Sequence, residues 1–171
     1  MAIGLHALLS QDSPTELRSI ERALAKLESH GDIVEVCLSG LKWIRATDGG
    51  IGILGAVTWV ESASRVSRMA DDLDAIGATD AAAAFRELRS HISLSDDMIS
   101  RGLVDWVDTE PVLRSQARQL DEQVSDISDD LWAYMQKNRE RLPDVPVATS
   151  SLGGWFRSLW SKSRNDVAKT S

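Results

Sequence analysis

From Leu113 to Tyr134 apolar side chains return every three or four residues, at Leu113, Ala117, Leu120, Val124, Ile127, Leu131 and Tyr134. Only a helix carries such a series on one face, because strand neighbours repeat every second residue. Thr109, Glu110 and Pro111 open the stretch, proline being suited to a first helical turn. Ser125 or Ser128 offers a place to divide it into two helices. A long helical seam must be buried against other helices, so a helical bundle or array is expected.

The rest of the chain reads the same way. Ser13-Pro14-Thr15-Glu16 has the residues of a capping box, and Leu17, Ile20, Leu24 and Leu27 follow on one face before Gly31. Asp32 to Ala46 reads as a second helix with Ile33, Cys37, Leu41 and Ile44 in register, although Ile33-Val34-Glu35-Val36 is also a fair strand. Thr47-Asp48-Gly49-Gly50 is a turn, and the apolar segment Ile51 to Val60 follows it. Further helices are expected from Ser64 to Ile76, closed by Gly77, and from Asp80 to Ile92, capped by Thr79. A shorter one, capped by Ser95, should reach Val107. The expectation is an all-α array of about six to eight helices over residues 1–142. Pro143, Pro146 and Thr149-Ser150-Ser151 then read as a linker. It leads into a basic tail with Trp155, Phe156, Leu159 and Trp160, the second part of the chain at 143–171.

With 171 residues, 43% hydrophobic and 26% charged, the chain can bury a core without staples. Its one cysteine, Cys37, lies in an apolar run and reads as a small core residue. Residues 1–10 lack the basic start and apolar length of a signal peptide, and no window approaches a membrane span. These features fit a reducing cytoplasm.

Catalytic signatures are missing. Gly50-Ile51-Gly52-Ile53-Leu54-Gly55 matches the dinucleotide pattern formally, with Asp71 and Asp72 downstream, but no strand leads into it and no βαβ setting surrounds it. His6, His30 and His91 are scattered, and His30 reads as a cation at a helix end. Doublets such as Asp71-Asp72 and Asp129-Asp130 point about 100° apart on a helix and chelate poorly. No catalytic residue, metal site or cofactor is expected.

Charge is the more informative property. The net charge is −7, and residues 96–130 hold 10 acidic and 3 basic side chains, none of them lysine. Residues 131–171 reverse this, with 3 acidic and 7 basic. On a continuous helical wheel Glu122, Asp126 and Asp129 oppose the seam, spaced roughly 5–6 Å apart along the axis. Asp105, Asp108 and Glu110 lie nearby in sequence. A solvated helix face accounts for such charges; a strip of carboxylates that imitates a phosphate backbone accounts for them too.

Two stretches resemble a known family. Asp48-Gly49-Gly50 and Ala70-Asp71-Asp72-Leu73-Asp74-Ala75-Ile76-Gly77-Ala78 are similar to an asparagine-Gly-Gly turn followed by a helix ending ALxxIGA. Gln119-Leu120-Asp121-Glu122-Gln123-Val124 with Asp129-Asp130-Leu131-Trp132-Ala133-Tyr134 is similar to a closing LDxxF…DxDLxxLLxxYI pattern. Both patterns are those of the DNA-mimic-protein family of small acidic helical bacterial domains, which this chain resembles from about residue 15 to 142. Asp48 stands where asparagine is usual, and Ile51 to Ala56 replaces a glutamine and aromatics. The resemblance implies a helical fold and a partner that is a basic, DNA-binding regulator; from the charge pattern, the face expected to meet it is Asp105, Asp108, Glu110, Glu122, Asp126 and Asp129. Direct nucleic-acid contact and stable membrane anchoring are not expected. The alternatives are a small-ligand protein or enzyme using the Gly49–Gly55 turn, and a helical adaptor or immunity-type protein using the Trp155–Trp160 tail.

Overall fold

Ile33-Val34-Glu35-Val36 is helical, not extended. It opens a 17-residue helix, Asp32–Asp48, whose periodic apolar positions continue unbroken to Ala46. The computed structural model describes residues 1–48, 52–58, 63–90 and 111–149. Among these residues the helices in chain order are α1 (Leu5–Leu8), α2 (Leu17–Leu24), α3 (Asp32–Asp48) and α4 (Ile53–Thr58). They are followed by α5 (Ala63–Ile76), α6 (Thr79–Ser90), α7 (Pro111–Asp121) and α8 (Ser128–Lys137). A 3₁₀ turn at Arg139–Arg141 and two short strands, β1 (Ala2–Gly4) and β2 (Pro146–Ala148), complete them. The fold is all-α with a minor two-stranded sheet. None of these helices is long and apolar enough to cross a membrane.

The central element is α3. It buries Ile33, Val34, Val36, Cys37, Leu38, Leu41, Trp43, Ile44 and Ala46, which is apolar cover on nearly every side, as a helix surrounded by others requires. Helices α2, α4, α5 and α8 pack on it, α6 packs on α5, and α7 joins α4 to α6. Gly40 marks a close approach of α3 to α5 and α8: a Cβ there would stand 2.7 Å from Ile76 Cδ1 and 3.0 Å from Leu131 Cδ1. Cys37 is fully buried, and burial pushes its thiol up to about 12, so it is a core residue as expected.

Of the seam expected from Leu113 to Tyr134, Ala117, Leu120, Ile127 and Leu131 are buried and Val124 and Tyr134 pack against the core, while the Leu113 side chain lies outside the described ones. Its backbone is not one helix. α7 stops at Asp121, residues 122–127 form a connector, and α8 starts at Ser128. The carboxylate of Asp126 makes the break by accepting the Ser128 N–H at 2.9 Å and its hydroxyl at 2.7 Å.

Other boundaries shift. The expected capping box at Ser13 does not form, because Glu16 takes a left-handed backbone (φ 56) and the helix begins at Leu17. It ends at Leu24, before Leu27. His30 lies ahead of α3 and contacts Glu35 at 3.0 Å, so it stands at a helix start, not at the end where a cation is favoured. Residues 143–149, expected as linker, belong to the fold. β2 pairs antiparallel with β1 in the register Ala2 to Ala148, Ile3 to Val147 and Gly4 to Pro146, and Val147 is fully buried. Asp144 accepts the His6 N–H at 2.9 Å, while Trp132 and Gln136 donate to the Gln11 carbonyl at 3.1 and 2.8 Å. These bonds tie residues 1–11 to the far end of the array. The helix expected to end at Val107 and the Trp155–Trp160 tail lie outside the described residues.

Two carboxylates are buried within this frame, Glu21 at 7% exposure and Asp72 at 6%. Glu21 accepts from Arg45 at 3.0 Å, and Asp72 accepts the Ser39 hydroxyl at 2.6 Å with Arg68 at 3.9 Å. Burial raises both pKa values, and the neighbouring donors and cations only partly offset it. A carboxylate raised in the folded state binds its proton more readily there than in the unfolded chain. Its contribution to stability is therefore full below the ordinary carboxylate range and is lost as pH rises through the raised folded value. Stability should climb as pH falls from neutrality toward the ordinary carboxylate range, and Asp72→Asn, which keeps an acceptor for Ser39, should raise it at neutral pH and flatten the climb. Thermal melts across that range read both effects; an equal climb in the wild type and in Asp72→Asn contradicts the account.

Candidate functional site

α3 and α7 each end in an aspartate, Asp48 and Asp121. A helix C-terminus carries partial negative charge, so a carboxylate there is disfavoured by about 0.3–1 kcal/mol at an exposed site. Both open onto a pocket of about 410 Å³ lined by Thr47, Asp48, Gly52, Asp121, Val124, Ser125 and Asp126. Among the described residues no lysine, arginine or histidine lines it. Three carboxylates from three segments thus line one concavity.

The three are not equivalent. Asp121 is held inward: its Oδ1 accepts the Ile53 N–H at 2.7 Å, and burial raises its pKa while that bond lowers it. Asp126 is exposed but spends one oxygen on Ser128. Asp48 is exposed at the rim. Thr47 turns its hydroxyl back to the Trp43 and Ile44 carbonyls at 3.1 Å, so it brings no donor to the pocket.

Of the six acidic residues expected to form one surface, Glu122, Asp126 and Asp129 are exposed, while Asp105, Asp108 and Glu110 lie outside the described residues. The expected geometry of the first three is corrected. Glu122 lies in the turn after α7, Asp126 in the connector and Asp129 in the first turn of α8, so no single helix spaces them. Asp129 and Asp130 sit where the α8 dipole favours negative charge. Asp48 and Asp121 were not among the six. The signal that could have found them is an aspartate at the end of an apolar-periodic run, where a cation is the usual choice.

The glycine turn is also clarified for its described part. α3 runs to Asp48, so a helix, not a strand, leads into the Gly-rich segment, and the dinucleotide setting is absent there. Gly52 adopts φ +69 and donates to the Ala46 carbonyl at 3.2 Å. The N–H that follows it, on Ile53, is taken by Asp121. A phosphate would meet the chain's own carboxylate there.

Among the described residues no group of three or more His, Cys, Asp or Glu side chains is placed to hold a metal ion. Compared with known protein families, with curated proteins and with solved structures, the chain gives no match.

Proposed function

We propose that this chain is an acidic binding module that receives a lysine- or arginine-rich partner, a DNA-binding regulator, at the surface that partner uses for DNA. The observation that carries the reading is the pocket of Asp48, Asp121 and Asp126, which has no cation among the described residues that line it. Glu122, Asp129 and Asp130 are exposed beside it in sequence and extend the negative field. A guanidinium or ammonium group entering the pocket would relieve the two unfavourable helix-end charges and gain partly desolvated pairing. The net charge of −7 would steer a basic partner toward the chain and keep nucleic acid away. The resemblance to DNA-mimic proteins supports the choice of a DNA-binding protein among basic partners.

The test compares the wild type with Glu122→Gln/Asp126→Asn/Asp129→Asn and with Asp48→Asn. Asparagine at 126 still accepts from Ser128, so α8 keeps its start. A captured basic DNA-binding protein should bind at low salt, release at high salt and be displaced by duplex DNA. The triple variant should bind about tenfold more weakly, as three lost charge contacts of modest strength imply. Equal affinity of all three proteins, or indifference to salt, rejects the acidic site as the binding surface.

A further inference from the structure

In a chain this acidic, α2 carries a basic face. Arg18, Arg22 and Lys26 recur every four residues, all exposed, the last in the turn that closes the helix; among the described residues none is in an ion pair, although Arg18 and Arg22 lie in the field of Glu21. Beside them lies a groove of about 520 Å³ between α2 and β2, lined by Ser19, Arg22, Ala23, Lys26, Leu27, Val145, Pro146 and Ala148. Ala23, Leu27 and Val145 form a partly buried apolar floor.

The far wall offers backbone. Leu5 N–H donates to the Val145 carbonyl and Thr149 N–H to that of Met1, so residues 145, 147 and 149 face β1. Antiparallel alternation turns the backbone groups of Pro146 and Ala148 the other way, along the outer edge of the two-stranded sheet. Among the described residues no hydrogen bond reaches the Ala148 N–H or the carbonyls of Pro146 and Ala148. Proline at the first strand position removes one donor but leaves its acceptor.

We infer that this groove binds a short acidic peptide in extended form, added as a third strand on the β2 edge with its alternate carboxylates on Arg18, Arg22 and Lys26. The spacings match: four helical residues rise about 6 Å, and two strand residues rise about 6.6–6.8 Å, a difference long cationic side chains absorb. A single-headed amphiphile would use one of the three cations and leave the strand edge bare. The site shares no residue with the acidic pocket and does not rest on the function proposed for it.

The full chain is titrated with a labelled Thr-Glu-Val-Glu-Val-Glu-Thr peptide and with the same peptide carrying lysine for glutamate. The acidic peptide should bind and the lysine peptide should not. Arg18→Gln/Arg22→Gln/Lys26→Gln should weaken binding about tenfold. Ala148→Pro, which deletes the edge donor, should weaken it about threefold or more. The Glu122/Asp126/Asp129 variant should bind the acidic peptide as the wild type does. Unchanged melting temperatures in the charge variants show that they fold. Equal binding of both peptides, or full binding to the triple-glutamine variant, overturns the inference. So does capture of decanoate or anionic vesicles through the same cations without capture of the peptide, which would make the groove a lipid site.

Discussion

Trp43→Ala should remove about 3–5 kcal/mol of folding stability, the range for truncating a buried large aromatic. Trp43 is 1% exposed on the central helix α3, and its ring meets Phe85 of α6 edge-on, with centroids 6.0 Å apart and an interplanar angle of 64°. Two losses combine: the transfer free energy of the indole, and a cavity that α3 cannot close because α2, α4, α5 and α8 hold it from other sides. The urea midpoint should fall by roughly 2 M, given a slope near 2 kcal/mol/M for a chain of this size. Trp43→Phe keeps an aromatic partner for Phe85 and should lose less than half as much. A loss below about 1 kcal/mol for the alanine variant, with a cooperative transition, would mean that the α3–α6 contact is not central to the core.

What the chain reveals in its sequence is which side chains go inward. Ile33, Cys37, Leu41 and Ile44 are all buried, and Leu73 and Ile76 of α5 likewise. Periodicity reports burial, and burial is what it delivered here. It does not report backbone hydrogen bonding. Val124 and Ile127 stay in phase with Leu120 and Leu131 although the connector between α7 and α8 carries them. A helical wheel drawn through that connector therefore aligned Glu122, Asp126 and Asp129 on a face that no helix presents. The local signal was Asp126 two residues before Ser128, an Asx turn that competes with helix continuation.

Tertiary contacts account for the other differences. Ser13 to Glu16 has cap chemistry, but the preceding Leu9 and Gln11 carbonyls are engaged by Gln136, and Glu16 turns left-handed before α2 begins. Val145-Pro146-Val147-Ala148 reads as linker because of its proline, yet alternate valines are also a strand's pattern and an edge strand tolerates that proline. The candidate site was least legible. Asp48 and Asp121 are 73 positions apart in sequence, and only the packing of α4 on α3 and α7 brings their helix ends to one pocket. No spacing rule links them.

The contact that closes that pocket yields the second large expected effect. Gly52→Ala should cost about 2–4 kcal/mol, and nearly all of what exceeds the backbone cost should vanish when Asp121 is also alanine. A side chain at φ +69 costs about 1–2 kcal/mol in itself. A Cβ there would in addition overlap the Asp121 carboxylate. The carboxylate would have to leave the Ile53 N–H, losing a hydrogen bond to a charged acceptor worth about 1.5–3 kcal/mol. Asp121→Ala alone forfeits the same bond, so the two losses cannot add. The double variant should be more stable than the sum of the single losses implies by about 1.5 kcal/mol or more. Denaturation of the wild type, both single variants and the double variant measures that coupling directly. Strict additivity would mean that Asp121 does not hold the start of α4, and the inward aspartate would then be free, like Asp48, to meet a cationic partner.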